Sequence, residues 1–161
     1  MTDFGGLLRV LTEGGVDFII VGGFAATLHG SSTPTRDLDL VYSRQGQNLD
    51  RLVRVLAPRS PYLRGAPPGL PFRWDRRTVE HGLNFTLSTD LGALDLLGEI
   101  AGGGDYGNLL PHTQEVTLFG VHCRCLGLDK LIEVKRAAGR PRDLQAVADL
   151  ESLREETRGD L

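Results

Sequence analysis

The sequence predicts one domain of the α/β (α+β) class. Three observations predict it. The first third of the chain alternates helix-like and strand-like patterns. Two later stretches each read as a pair of short strands joined by a turn. Residues 127–161 read as two helices, packed on a core built by residues 1–126. The chain has 161 residues, 40% of them hydrophobic, which is enough to bury one core.

Taken in order, "DFGGLLRVLTEGG" sets Phe4, Leu7, Leu8 and Leu11 at helical spacing, and Gly14-Gly15 end the helix. "VDFIIV" is a short buried strand. Gly22-Gly23 turn the chain into a short helix, "FAATLHG", closed by Gly30. "SSTPT" is a loop and "DLDLVYS" a second strand. "QNLDRLVRVLA" is an amphipathic helix with Leu49, Leu52, Val53 and Leu56 on one face. From Pro58 to Gly82 five prolines and several glycines predict a long stretch without regular elements. It carries Arg59, Arg64, Arg73, Arg76 and Arg77, and reads either as a solvated meander or as a rim that handles an anion. "LNFTLST" and "GALDLLG" are neighbouring strands joined near Asp90-Leu91-Gly92. "EVTLFGVHCRCLG" is a hairpin turning at Gly120. "LDKLIEVKRAAG" and "RPRDLQAVADLESLREE" are helices separated at Gly139 and Pro141.

Composition narrows the function classes. The net charge of −3 argues against nucleic-acid binding driven by bulk charge, while leaving room for a local basic patch. "MTDFGGLLRV" lacks the pattern of a signal peptide, and no apolar run approaches the roughly 20 residues that span a bilayer. Cys123 and Cys125 alone cannot form a disulfide framework, so a reduced, cytoplasmic protein is expected.

The segment "FIIVGGFAATLHGSSTPTRDLDLVY" carries the chemistry. Side chains alternate along a strand, so Asp37 and Asp39 point the same way while Leu38 and Leu40 fill the other face. Two carboxylates this close are tolerated if solvated or neutralised by a cation. Paired carboxylates on a rigid strand suit Mg²⁺. Asp95, inside "GALDLLG", has a similar setting. If its strand neighbours that of Asp37 and Asp39, three carboxylates converge, enough for two metals about 3.5–4 Å apart or for one metal and an attacking hydroxyl. Gly22 and Gly23 end a strand and open a helix, where a phosphate can approach bare backbone.

The ordered combination resembles the DNA polymerase beta-like nucleotidyltransferase superfamily. That family carries a Gly-Gly or Gly-Ser turn, an Asp-x-Asp strand and a third acidic residue in a later strand. Here these are Gly22-Gly23, Asp37-Leu38-Asp39 and Asp95. Within it the chain is similar to small bacterial members related to abortive-infection toxins, which carry a Lys-Arg-x-x-Gly-Arg-Pro-Lys-Asp segment. Here it reads "KRAAGRPRD", Lys135 to Asp143, with Arg142 at the lysine position. The likeness runs from about Val16 to Leu153. It implies a mixed β-sheet flanked by helices and an Mg²⁺- or Mn²⁺-dependent transfer of an NMP group from a nucleoside triphosphate such as ATP. Asp37, Asp39 and Asp95 would be catalytic and hold the metal, with Asp95 serving the second metal or acting as base. Gly22, Gly23, Ser31, Thr35 and Lys135 would hold the nucleotide. Gly23 stands where a serine is common, so the phosphate relies on backbone N–H groups or on Ser31, Ser32 or Thr35. The acceptor is a tRNA, a partner protein or a small molecule such as an antibiotic, and a homodimer or partner is one way to complete its site. The alternative is a non-catalytic, antitoxin-like module that keeps the fold and works by binding. A metal-dependent phosphohydrolase is a third reading.

Other residues carry weaker signals. Lys135 continues the stripe of Leu128, Leu131 and Ile132, so it either snorkels or reaches an anion. Arg140 and Asp143 suit a structural pair. Arg36 points away from Asp37. His122, Cys123 and Cys125 lack the spacing of a closed zinc site. His29 reads as a packed or capping histidine. Trp74 reads as a loop anchor or as a platform for a base.

Overall fold

The computed structural model describes residues 1–159. Its first third runs α1 (Phe4–Glu13), β1 (Phe18–Val21), α2 (Gly22–Leu28), β2 (Asp37–Tyr42) and α3 (Gly46–Leu56), the predicted alternation. Then come β3 (Tyr62–Leu63), α4 (Arg76–His81), β4 (Phe85–Thr89) and β5 (Gly92–Leu97). After β6 (Glu99–Ile100), β7 (Gly104–Asp105) and α5 (Tyr106–Leu109) follow β8 (Thr113–Leu118), β9 (Val121–Leu126), α6 (Leu128–Ala138) and α7 (Pro141–Gly159). The helical pair expected over 127–161 is α6 and α7, and positions 160 and 161 lie outside the described residues. No helix among the described residues is long and apolar enough to cross a membrane.

Seven strands form one mixed sheet in the order β3-β4-β5-β2-β1-β9-β8. β2 runs parallel to β5 and β1 parallel to β9, while the other neighbours are antiparallel. The centre is dry. All of β1 is buried, and Leu38, Leu40 and Tyr42 of β2 are inaccessible to solvent. Burying each such aliphatic side chain contributes about 1.5–3 kcal/mol, which explains why the apolar runs take the middle of the sheet. The helices fall into two packed groups, α1 with α3 and α4, and α2 with α6 and α7. α1 turns Leu7, Leu8 and Leu11 inward, and its Phe4 stacks on Phe24 of α2 with ring centroids 4.6 Å apart.

The stretch from Pro58 to Gly82 is not free of regular structure, contrary to expectation. β3 adds an edge strand, pairing Tyr62 with Ser88 and Leu63 with Leu87. α4 forms because Asp75 caps it, accepting the Thr78 N–H at 2.8 Å, and because Val79 is fully buried. Two residues of strand and one apolar helix residue leave no period for a sequence to show. Trp74 anchors this segment: its Nε1 donates to Val53 O at 3.2 Å and its ring meets Phe85 edge-on. Arg44 ties it to the sheet by donating to the Tyr42 hydroxyl (2.7 Å), Val79 O (2.8 Å) and Glu80 O (3.0 Å), and the Tyr42 hydroxyl donates onward to Leu83 O at 2.8 Å.

A buried polar clamp holds the far end of β1 and β2. Asn48, 2% exposed, accepts the Asp17 N–H at 2.7 Å and donates to Asp17 O and Ser43 O at 3.1 and 2.8 Å. Truncation strands several buried backbone groups, each costing about 1–3 kcal/mol. Asn48→Ala is therefore expected to lower the free energy of unfolding by about 3 kcal/mol in urea titration. A loss under about 1 kcal/mol would show that water takes over these bonds.

Candidate active site

β2 sets Asp37 and Asp39 on one face, and its parallel pairing with β5 puts Asp95 directly opposite Asp39. One carboxylate oxygen from each of the three lies within 4.8 Å of the others. The three acidic residues singled out from the sequence thus meet at one point, because their two strands are neighbours in the sheet.

Two bare backbone positions border the cluster. Gly22 has φ of +68°, and a Cβ there would run into the Asp39 side chain. A Cβ on Gly23 would lie 2.8 Å from the Thr35 hydroxyl. At Gly22 the left-handed backbone and the crowding together demand glycine. Thr35 in turn donates its hydroxyl to Asp37 O at 3.3 Å, holding the entry to β2.

Two cavities meet at the glycines and Lys135. One, of about 230 Å³, is lined by Gly22, Asp39, Val134, Lys135, Arg140 and Asp143 among others. The second, of about 100 Å³, includes Gly23, Ser31, Thr35 and Lys135 in its wall. All five residues expected to hold a nucleotide therefore line adjoining spaces, with Lys135 common to both. A third and larger cavity, of about 660 Å³, opens on the Asp37 side between Thr2, Phe4, Thr35, Arg36, Ser88 and Thr89. Arg36 lies in its wall, and its backbone carbonyl accepts the Thr2 hydroxyl at 2.5 Å.

The electrostatics divide the trio. Arg64 reaches Asp95 Oδ1 at 2.6 Å and Asp37 Oδ2 at 3.5 Å. In the sequence Arg64 is one of five loop arginines, and the two-residue strand just before it carries no local signature. Asp39 is left without such a partner. Its Oδ1 is buried and accepts no hydrogen bond. Burial, the neighbouring Asp95 and then Asp37 raise its carboxyl to about 7, against a smaller opposing effect of Lys135. A buried carboxylate oxygen with no donor, beside two more carboxylates, is a donor set that fits a hard divalent cation.

Other candidates take structural places. Arg140 Nε donates to Asp143 Oδ2 at 2.6 Å and its backbone N–H to the same oxygen at 3.2 Å, holding the Asp143 carboxyl below its usual range. His29 Nε2 donates to Leu126 O at 2.8 Å, the packed role expected of it. Cys123 and Cys125 point into the core while His122 points out, so the three cannot share an ion. Burial pushes the Cys125 thiol up to about 12.

No protein-family model matches the sequence, and no curated protein matches it. Solved structures do. The lincosamide antibiotic adenylyltransferase LnuA, crystallised with lincomycin, is 15% identical over 94% of this chain and 96% of its own, with a TM-score of 0.59. An antigenic nucleotidyltransferase-like protein from Paracoccidioides brasiliensis is 20% identical over 92% of this chain and 72% of its own, with a TM-score of 0.52. The chain has the nucleotidyltransferase fold. The mixed sheet with flanking helices that the sequence resemblance implies is the one found.

Asp39 keeps its proton to about pH 7 when folded, against 3.8 for its ordinary value. Between these values the folded state binds more protons than the unfolded one, so this group lowers the stability of the metal-free protein as pH rises through the window. Urea unfolding in EDTA between pH 5 and pH 8 is expected to show Asp39→Asn gaining stability relative to wild type as pH rises. Parallel pH profiles for the two proteins would remove Asp39 as the source.

Proposed function

We propose that the chain is a divalent-cation-dependent nucleotidyltransferase, moving an NMP group from a nucleoside triphosphate to an acceptor hydroxyl. The observation that carries this reading is the meeting of Asp37, Asp39 and Asp95 beside the bare backbone of Gly22-Gly23. Asp37, Asp39 and Asp95 would hold the cation, Mg²⁺ or Mn²⁺, which when bound supplies neutralising charge to the triphosphate and its leaving pyrophosphate. Gly22 and Gly23 admit the phosphates to the backbone. Lys135 offers a compact cation to them from the wall shared by two cavities. Ser31 and Thr35 supply hydroxyls beside Gly23, where the turn itself has none. The acceptor oxygen attacks the α-phosphorus, the bond to pyrophosphate breaks, and the hydroxyl proton leaves to a nearby carboxylate or to water.

The acceptor is read as a small hydroxylated molecule. The cavity of about 660 Å³ on the Asp37 side has the size of a small-molecule pocket. The fold likeness to LnuA, a lincosamide antibiotic adenylyltransferase crystallised with lincomycin, supports this reading by analogy.

Thermal unfolding with each of ATP, CTP, GTP and UTP, with and without Mg²⁺, tests the donor half of the proposal. A ligand at about 100 times its Kd adds about 2.7 kcal/mol. Wild type is expected to shift upward with at least one triphosphate only when Mg²⁺ is present, and Asp37→Asn/Asp39→Asn to lose the shift. A shift that survives in the double variant would overturn the site. A second prediction concerns the turn: Gly22→Ala must adopt a left-handed backbone at a cost of about 1–2 kcal/mol and displace Asp39. It is expected to stay folded by circular dichroism and to lose the Mg²⁺-dependent shift.

A further inference from the structure

We propose that Arg64 is a resident cation of the acidic cluster, standing where a second divalent ion would otherwise lie, so that the chain loads one divalent ion and not two. The proposal rests on the nucleotidyltransferase reading, which requires the carboxylates to hold metal.

Arg64 is built into the site by the sheet. Directly after β3, its N–H donates to Thr86 O at 2.9 Å, extending the pairing of β3 with β4 by one residue. Thr86 lies opposite Asp95, and Asp95 opposite Asp39. Arg64, Thr86, Asp95 and Asp39 thus form one row across four adjacent strands. The guanidinium is anchored as well, its Nη1 donating to Leu87 O at 2.9 Å. Its Nη2 contacts Asp95 Oδ1 at 2.6 Å and Asp37 Oδ2 at 3.5 Å. Two other arginines of the segment pair elsewhere, Arg59 with Asp90 and Arg76 with Asp50.

Space and charge then point the same way. Paired catalytic metals lie about 3.5–4 Å apart and share carboxylates between them. A guanidinium at hydrogen-bond distance from Asp95 and near Asp37 fills one of those two places. Asp39, whose buried Oδ1 has no hydrogen-bond partner and whose Oδ2 lies against Gly22, marks the other place, which it would share with Asp37. One dication there, together with Arg64, balances three carboxylates. A second dication would face the guanidinium. Asp95 is then divided between Arg64, 2.6 Å away, and the one cation it would hold with Asp37 and Asp39.

The test is metal stoichiometry, with Mn²⁺ alone as probe. Titration followed by the electron paramagnetic resonance of free Mn²⁺, at pH 8 and without nucleotide, counts ions per chain. Wild type and Arg64→Lys are expected to bind one, Arg64→Ala and the bulkier Arg64→Gln to bind two, and Arg64→Ala/Asp95→Asn to return to one. Circular dichroism confirms that each variant is folded, and Arg64→Gln serves if the alanine variant is not. Two ions in wild type, or one in both neutral variants, would overturn the inference while leaving the metal reading intact. No bound Mn²⁺ in wild type and neutral variants alike would overturn the metal reading and this inference with it.

Discussion

Repulsion among three carboxylates is the constraint around which this molecule is arranged. The parallel pairing of β2 with β5 sets Asp39 against Asp95 with Asp37 one step along the same face. Nothing in a sheet interior favours that grouping. The surrounding structure answers it in three ways. Arg64 enters from the sheet edge to neutralise Asp95 and Asp37. Asp39 holds its proton to about neutral pH. Lys135 adds positive charge from α6. Each is a partial answer, and the buried, unpartnered oxygen of Asp39 is what remains for a cation.

The same constraint explains the empty space beside it. Gly22 and Gly23 lack side chains because Asp39 and Thr35 already occupy the volume a Cβ would need. The absence of those side chains also opens backbone to the adjoining cavities. Crowding by the acidic cluster and an open backbone beside the cavities are thus two effects of one choice of residue. The rest of the fold provides rigidity. β1 and β2 lie in the centre of the sheet with a dry core beneath, and Asn48 clamps their far ends.

Likeness to LnuA and to the Paracoccidioides brasiliensis nucleotidyltransferase-like protein is a likeness of fold, at 15% and 20% identity. Chemistry is argued from the site instead. A cluster of three carboxylates, a bare turn and a lysine shared between two cavities lie together, and a large cavity opens on the Asp37 side. The proposed donor and acceptor would approach the cluster along these different directions.

Sequence alone determined what depends on neighbours along the chain. Alternation in "DLDLVY" put Asp37 and Asp39 on one face, helical spacing identified α1 and α3, and the Gly-Gly break marked the crowded turn. These follow from backbone periods of two and 3.6 residues, which any short window displays. Tertiary structure decided what depends on pairing between distant segments. That Asp95 stands opposite Asp39 follows from burial of β5 beside β2. That Arg64, and no other arginine of its loop, reaches the carboxylates follows from a two-residue edge strand too short to leave a pattern. Asn48 reads as an ordinary helix residue until its side chain is seen closing the backbone of Asp17 and Ser43. Local periodicity shows which face a side chain takes, but the partner it meets there is chosen by how the sheet packs and which buried charges must be balanced.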